Sequence, residues 1–276
     1  MNDALSPDHL IIAPILIPLI AGAIMLFYND QNRQTKLMMG LAAVALTFIA
    51  SLELVADVKS ATEQGGTVVG LYPLGNWPVP IGIVLVLDRL SVMMVMLTAL
   101  LAGPSLIYAA AGWHGKGQHY HSMFQFLLAG INGAFLTGDL FNLFVFFEVM
   151  LIASYGLMVH GGGGLRVKAG VQYVVTNLVG SSVFLIAVGM IYSVTGTLNM
   201  ADLAVKVPEV VAGDRALLHA GALLLLLVFG VKAALVPVHF WLPGTYGSTS
   251  AVVAALFAIM TKVGAYSILR LYVLAF

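Results

Sequence analysis

The chain has 276 residues, of which 61% are hydrophobic and only 9% charged, and its formal net charge is zero. Soluble domains run at about 45–50% apolar and about 25% charged residues. A chain this apolar cannot cover itself with polar surface in water, so soluble enzymes and nucleic-acid-binding modules are excluded and an integral membrane protein is required. The lack of cysteine rules out thiolate metal sites, iron–sulfur clusters and disulfides within the chain. No cofactor and no metal are expected, and any redox centre of a larger assembly belongs to another subunit.

In chain order, the first apolar run is Leu10 to Phe27, 18 uncharged residues preceded by Asp3 and Asp8 rather than by a basic stretch. It reads as a first spanning helix, not as a cleavable signal. Further spans are predicted at 36–56, 82–111, 121–138, 140–160, 168–194, 216–236 and 246–270. The fold class is therefore all-α, a polytopic membrane protein of about eight transmembrane helices, each needing roughly 20 apolar residues. The runs are long and do not alternate, which excludes a barrel.

Residues 57–81 hold Gly65-Gly66, Pro73, Gly75-Asn76, Pro78 and Pro80 among apolar residues, the pattern of a turn-rich, hairpin-like cap. Residues 195–215 are expected to contain a short surface helix starting near Asn199. His114, His119 and His121 fall in one short stretch; a solvated loop is the simpler reading, metal binding the other. Gly161–Gly164 is a flexible turn lacking the Lys and Ser/Thr of a phosphate loop.

Loop charges orient the chain. With the N-terminus outside, the inner segments carry Arg33, Lys36, Lys116, Arg166 and Lys168, and the outer ones Lys59, Lys206 and Arg215, with Arg270 near an outer end. The positive-inside rule prefers this arrangement.

The informative ionisable residues are those deep within predicted spans: Glu148, Lys232 and Lys262. A lysine near a helix centre costs about 2.5–3.5 kcal/mol to insert, so these groups must be paired, hydrated or neutralised and must face protein or water. A proton or ion pathway is one reading, a buried ion pair that orients helices the other. Pro237 follows Lys232 by five residues, and Pro243 lies beyond. Proline removes an N–H and clashes with the preceding turn, so the helix should break near residues 235–237. Broken helices at membrane depth are tolerated where they meet protein or a wet cavity, and transporters build ion sites there. His239 lies just past the break; a proton relay and a ring bonded to freed carbonyls are both open for it.

Asp88 and Arg89 are adjacent at an interface and are expected to form an orienting structural ion pair. Asp139 is placed to cap the helix that carries Glu148. Phe141, Phe144, Phe146 and Phe147 crowd that helix and read as packing. Oxygen-bearing residues near Glu148 that would suit a monovalent cation, such as Thr137, Asn142 and Ser154, are scattered, so the cation is expected on a neighbouring subunit.

Three separated segments, GIVLVLDRLSVMM, GDLFNLFVFFEVMLIASYGLMVHGG and FGVKAALVPVHFWLPGTYGSTSAVVAALFAIMTKVGAY, resemble the antiporter-like family, over roughly residues 80–275. That family joins Mrp (Pha) cation/proton antiporter subunits to the proton-pumping membrane subunits of respiratory complex I. The FNLFVFFEVMLIASY wording is most similar to the D-type Mrp subunits. The resemblance implies a subunit of a multi-subunit Na⁺ or K⁺/H⁺ antiporter in the bacterial inner membrane, partnered by the other subunits, with no enzymatic activity of its own. The alternatives are a proton-pumping subunit of complex I or of a membrane-bound hydrogenase, and a non-conducting scaffold.

It also implies that Glu148, Lys232, His239 and Lys262 carry protons, the Glu–Lys pair tuning the lysine and Lys262 passing the proton on, with His239 and water as the bridge. Residues 1–117 would form three leading helices and 118–276 one five-helix half-channel unit. Family members usually contain a second, inverted five-helix repeat. This sequence is therefore expected to be a partial chain, a split subunit being the other reading.

Overall fold

The computed structural model describes residues 9–29, 31–63 (apart from the side chains of 61 and 62) and 70–276. Asp3, Asp8 and Gly65-Gly66, used above, lie outside the described residues. The described chain folds into ten helices and one small hairpin: α1 (Ala13–Leu26), α2 (Arg33–Glu63), β1 (Gly70–Pro73), β2 (Val84–Leu87), α3 (Arg89–Ala110), α4 (Tyr120–Leu136), α5 (Leu140–Val159), α6 (Gly164–Thr195), α7 (Met200–Glu209), α8 (Arg215–Lys232), α9 (Trp241–Ser248) and α10 (Ala251–Leu274). Six of them, α2, α3, α5, α6, α8 and α10, have the length and hydropathy to cross a membrane, and α1 is a shorter apolar helix. With 32 residues, α6 reaches about 48 Å at 1.5 Å per residue, well beyond a hydrocarbon core of about 30 Å.

The hairpin expected in 57–81 forms further along and is built by two runs. Strands β1 and β2 pair antiparallel, from Gly70 opposite Leu87 to Pro73 opposite Val84. The predicted third span, 82–111, is thereby divided. Its first residues, Val84-Leu85-Val86-Leu87, alternate β-branched and leucine side chains and become β2, and the helix starts only at Arg89. Asp88 sets that boundary: its Oδ1 accepts from Ser91 N (2.8 Å), and Ser91 Oγ accepts from Asp88 N (2.8 Å), a capping box.

The hairpin is tied into the bundle by main-chain bonds. Gly138 N donates to Val84 O (2.9 Å), Leu140 N to Leu198 O (2.8 Å) and Met200 N to Gly138 O (2.9 Å). One end of the bundle, where α4 turns into α5 and α6 into α7, is thus stitched as a unit. Asp139 caps α5 as expected, accepting from Asn142 N at 2.7 Å. Burial pushes the Asp139 carboxyl above its ordinary range, against the opposing hydrogen bonds from Asn142 and Phe141. The surface helix begins where predicted: Asn199 Oδ1 accepts from Ala201 N (3.1 Å) and Asp202 N (3.2 Å) at the start of α7.

At the opposite end, His121 belongs to α4 and is buried, not part of a solvated loop. Its Nε2 lies 3.0 Å from His114 Nδ1. Among the described residues no group of three or more His, Cys, Asp or Glu is placed to hold a metal ion. The glycine turn holds positive φ at Gly161 (84°), Gly162 (67°) and Gly163 (105°). Arg166 fastens it, donating to Gly162 O (2.7 Å), His160 O (3.1 Å) and Ser248 O (3.0 Å).

Helix α4 packs on α5 at backbone distance. A Cβ at Gly130 would lie 2.6 Å from Met150 N, so only glycine permits the approach, the small-residue contact that membrane helices favour. Within the aromatic run on α5, Phe147 is fully buried and packs, as read from the sequence, whereas Phe141 is exposed. Phe147 stacks on Phe229 of α8 (6.3 Å) and meets Phe184 of α6 edge-on (6.0 Å).

The ion partner of Asp88 is Arg270 on α10, 182 positions along the chain, and this replaces the expected pairing with adjacent Arg89. Neighbouring residues at a helix start point about 100° apart, while α10 packs against α3 and delivers the guanidinium. Burial alone would raise the Asp88 carboxyl, but the Ser91 bonds and Arg270 hold it below its ordinary 3.8.

A carboxylate lowered on folding stabilises the fold above its unfolded value and loses that contribution as pH falls through the folded one. The Asp88 contribution is therefore expected to be constant from about pH 5 upward. Replacing Asp88 by Ala removes a cap worth about 1 kcal/mol and one half of a partly buried ion pair. Thermal melting of the detergent-solubilised protein should show a pH-independent drop between pH 5 and 8, and the gap to wild type should close only below about pH 4.

Candidate functional site: a buried lysine at a helix break

Two residues of the site are expected from the sequence on separate helices, and the structure brings them together through a third. Lys232 is the last residue of α8 and is 5% exposed. Glu148 sits mid-way along α5 and is half-buried. Between them stands α6. The Lys232 Nζ donates to Asn177 Oδ1 (3.2 Å), to Asn177 O (3.4 Å) and to Ser181 Oγ (3.4 Å). The Ser181 hydroxyl in turn donates to Glu148 Oε1. The ammonium and the carboxylate are thus joined by one hydroxyl that accepts from the first and donates to the second. The ring of Phe147 lies 5.8 Å from Nζ, near the outer limit of a cation–π contact.

The helix ends at Lys232 for local reasons. Ala233 N closes on Phe229 O (2.7 Å), and Ala234 then takes a positive φ of 53°, which no α-helix continues. Leu235 N bonds back to Gly230 O (2.9 Å), and the indole of Trp241 donates to Val231 O (2.9 Å). The Phe229, Gly230 and Val231 carbonyls of the last turn are therefore occupied, as burial favours. The break was expected at 235–237 and starts two residues earlier, at Ala233; Pro237, joined by a cis peptide to Val236, lies within the irregular stretch that follows. The predicted eighth span is likewise divided into α9 and α10, because Ser250 caps a new helix, accepting from Val253 N at 3.4 Å.

Helix α10 crosses directly behind the lysine. A Cβ at Gly264 would lie 2.5 Å from Ala233 N and 2.9 Å from the Lys232 carbonyl carbon. A cavity of about 10 Å³ lies beside the lysine, lined in part by Tyr173, Asn177, Lys232, Trp241 and Met260. That is the lower limit of space for one water.

His239 and Lys262 are not part of this constellation. His239 is exposed on the irregular segment, and its backbone carbonyl accepts from Leu242 N at 2.9 Å. Lys262 is exposed on α10, two residues from Gly264 and hence about 200° around the helix from the face that meets Lys232. No hydrogen bond joins either side chain to the Lys232 ammonium, whose side-chain partners are Asn177 and Ser181.

The scattered oxygen groups noted from the sequence stay scattered: Asn142 Nδ2 donates to Thr137 Oγ1 (2.9 Å) at the α5 cap, and Ser154 Oγ lies 2.8 Å from the Tyr173 hydroxyl. The residues that sequence reasoning missed are Asn177 and Ser181. Their signal was present: Tyr173, Asn177 and Ser181 recur at every fourth position within the apolar run 168–194, which sets them on one face of the helix.

Known proteins share this architecture. A family model described as NADH:quinone oxidoreductase/Mrp antiporter, TM matches residues 137–276, a stretch that contains Glu148, Asn177, Ser181 and Lys232. The chain is similar to a probable K(+)/H(+) antiporter component of the D type from Rhizobium meliloti (strain 1021), 51% identical over 270 residues, covering 98% of this chain and 50% of that protein. It is similar to the D-type component of the Na(+)/H(+) antiporter of Alkalihalophilus pseudofirmus, 44% identical, covering 98% of this chain and 53% of that protein. It superposes on a chain of the Mrp complex from Dietzia sp. DQ12-45-1b with a TM-score of 0.87 at 33% identity, covering 96% of this chain and 48% of that one. The chain spans about half the length of these relatives.

Because Gly264 leaves no room for a side chain, Gly264→Ala is expected to push α10 from the break and to cost about 1–3 kcal/mol, as overpacking does. Gly189, which has open space around it, serves as the control: Gly189→Ala should leave the melting temperature of the solubilised protein unchanged or slightly raised.

Proposed function

Since this chain belongs to the NADH:quinone oxidoreductase/Mrp antiporter transmembrane family, we propose that it provides a proton pathway within a multi-subunit antiporter exchanging Na⁺ or K⁺ for H⁺. The observation that carries the reading is the Lys232 ammonium, buried at a helix break and joined to Glu148 through Ser181. An ammonium in a site of low dielectric keeps its proton only with support. Glu148 supplies that support. When a proton or an approaching cation neutralises Glu148, Lys232 loses it and releases its proton.

Lys262, exposed on α10, takes the proton onward to groups outside this unit, and His239, exposed at the break, meets water or a partner. In this reading eight helices cross the bilayer: the six long ones with the shorter α1 and α4. Residues 1–117 form a leading three-helix part and 118–276 the five-helix half-channel. The N-terminus lies outside the bacterial plasma membrane, supported by the excess of Lys and Arg in the opposite loops. The partners are the other antiporter subunits, supported by the names of the relatives, which are antiporter subunits rather than enzymes. The driving force is sufficient, since one charge crossing 100 mV is worth about 2.3 kcal/mol.

The test uses everted vesicles from cells lacking their own antiporters, carrying the complete complex with this subunit. A respiratory pH gradient is built, then Na⁺ or K⁺ is added. Wild type is expected to collapse the gradient on cation addition, and Glu148→Gln, assembled to the same level, to lose at least nine-tenths of that response. Full activity of Glu148→Gln would overturn the reading.

A further inference from the structure

We infer that Ser181 is the proton relay between Lys232 and Glu148, and that Asn177 is the dock that keeps the lysine in line with it. The inference rests on the proton pathway proposed above and assigns a hydroxyl to its central step. Three observations on α6 support it. First, the Ser181 oxygen stands between the two ionisable groups, accepting from Lys232 Nζ at 3.4 Å and donating to Glu148 Oε1. Second, Ser181 is buried, 5% exposed, so its hydroxyl finds its partners among protein groups. Third, other serines and threonines of α6 give their hydroxyl hydrogens to main-chain oxygens of the preceding turn: Thr176 to Gln172 O (2.9 Å), Ser182 to Leu178 O (3.1 Å), Ser193 to Met190 O (2.8 Å) and Thr195 to Ile191 O (2.9 Å). Ser181 instead turns its hydrogen to a carboxylate on another helix.

The step balances within the three groups. It reloads Lys232 after release: the hydrogen of a protonated Glu148 passes to Ser181 Oγ as the Ser181 O–H bond breaks and its own hydrogen passes to the neutral Lys232 amine. The products are the Lys232 ammonium, the Glu148 carboxylate and a serine hydroxyl restored but reversed, now accepting from Lys232 and donating to Glu148, the arrangement the structure shows. No co-reactant is needed. The hydroxyl must turn back before the next proton can pass, so the relay resets between turnovers.

Asn177 acts on the other side. Its side-chain and main-chain oxygens, at 3.2 and 3.4 Å, both accept from Nζ and carry no charge. They hold the ammonium in place without lending it a proton acceptor, since an amide oxygen is not basic enough to take the proton. The two residues are one helical turn apart, so a single face of α6 both holds the lysine and conducts to it.

The experiment measures cation-driven proton exchange by the complete complex in everted vesicles, at matched assembly, across pH 6 to 9. Wild type, Ser181→Ala, Ser181→Thr, Glu148→Gln and Lys232→Ala are compared, each with the cation concentration giving half-maximal rate. Ser181→Ala is expected to cut the maximal rate at least tenfold with that concentration unchanged within twofold. Ser181→Thr, which keeps the hydroxyl, should recover at least half the wild-type rate. In the Ala variant the rate should also lose its wild-type dependence on pH.

A Ser181→Ala rate within twofold of wild type, while Glu148→Gln and Lys232→Ala are inactive, would overturn the relay and leave the pathway standing. Equal loss in the Ala and Thr variants would assign Ser181 to packing and overturn the relay likewise. Full activity of Glu148→Gln and Lys232→Ala would overturn the pathway and the relay together.

Discussion

An ammonium group taken out of water into an apolar helix bundle carries a desolvation cost that local structure must offset, and most of what surrounds Lys232 answers to that constraint. The effective penalty for a buried ion is several kcal/mol even after relaxation, comparable to the net stability of a whole domain. The protein meets it with oxygen atoms instead of a direct ion pair. Two neutral oxygens of Asn177 and the Ser181 hydroxyl touch the charge, and Glu148 lies one hydroxyl further off. A direct carboxylate–ammonium contact would hold the proton more firmly. The interposed hydroxyl instead links the two groups through one hydrogen-bonded oxygen.

The backbone is arranged to the same end. Helix α8 stops at Lys232, so the lysine projects from a terminus where the chain turns away, and the Gly230 and Val231 carbonyls are taken by Leu235 N and the Trp241 indole. Behind it α10 comes to backbone contact at Gly264. The site is thus closed on the α10 side by main chain, while α6 presents Asn177 and Ser181 from another direction. The aromatic packing of Phe147, Phe184 and Phe229 fills the space beside it and keeps the local dielectric low.

Much of this was legible in the sequence, and the gaps have physical causes. Lys232 and Glu148 stood out because a charge in an apolar span has no innocent explanation in lipid. The helix break followed from Pro237, although it opens at Ala233 because the turn closed by the Phe229 carbonyl comes before the proline. Asn177 and Ser181 were overlooked because uncharged polar residues cost little in a membrane helix and commonly satisfy themselves on the preceding turn; only their four-residue spacing distinguished them. The partner of Asp88 was misread for a related reason. Sequence adjacency suggested Arg89, whereas the contact with Arg270 depends on the packing of α10 against α3, which no local pattern encodes. The alternating run at 84–87 was absorbed into a predicted helix because four apolar residues beside a long apolar run carry no period of their own.

The central claim is that Glu148 and Lys232 act as one coupled unit through α6. A double-substitution cycle tests it without any assumption about transport. Melting of the purified complex is measured for Glu148→Gln, Lys232→Met and the two combined. Each single change strands a buried charge, so the account predicts that the double variant loses clearly less thermal stability than the sum of the single losses. Losses that simply add would mean that the two groups are independent, and would contradict the account.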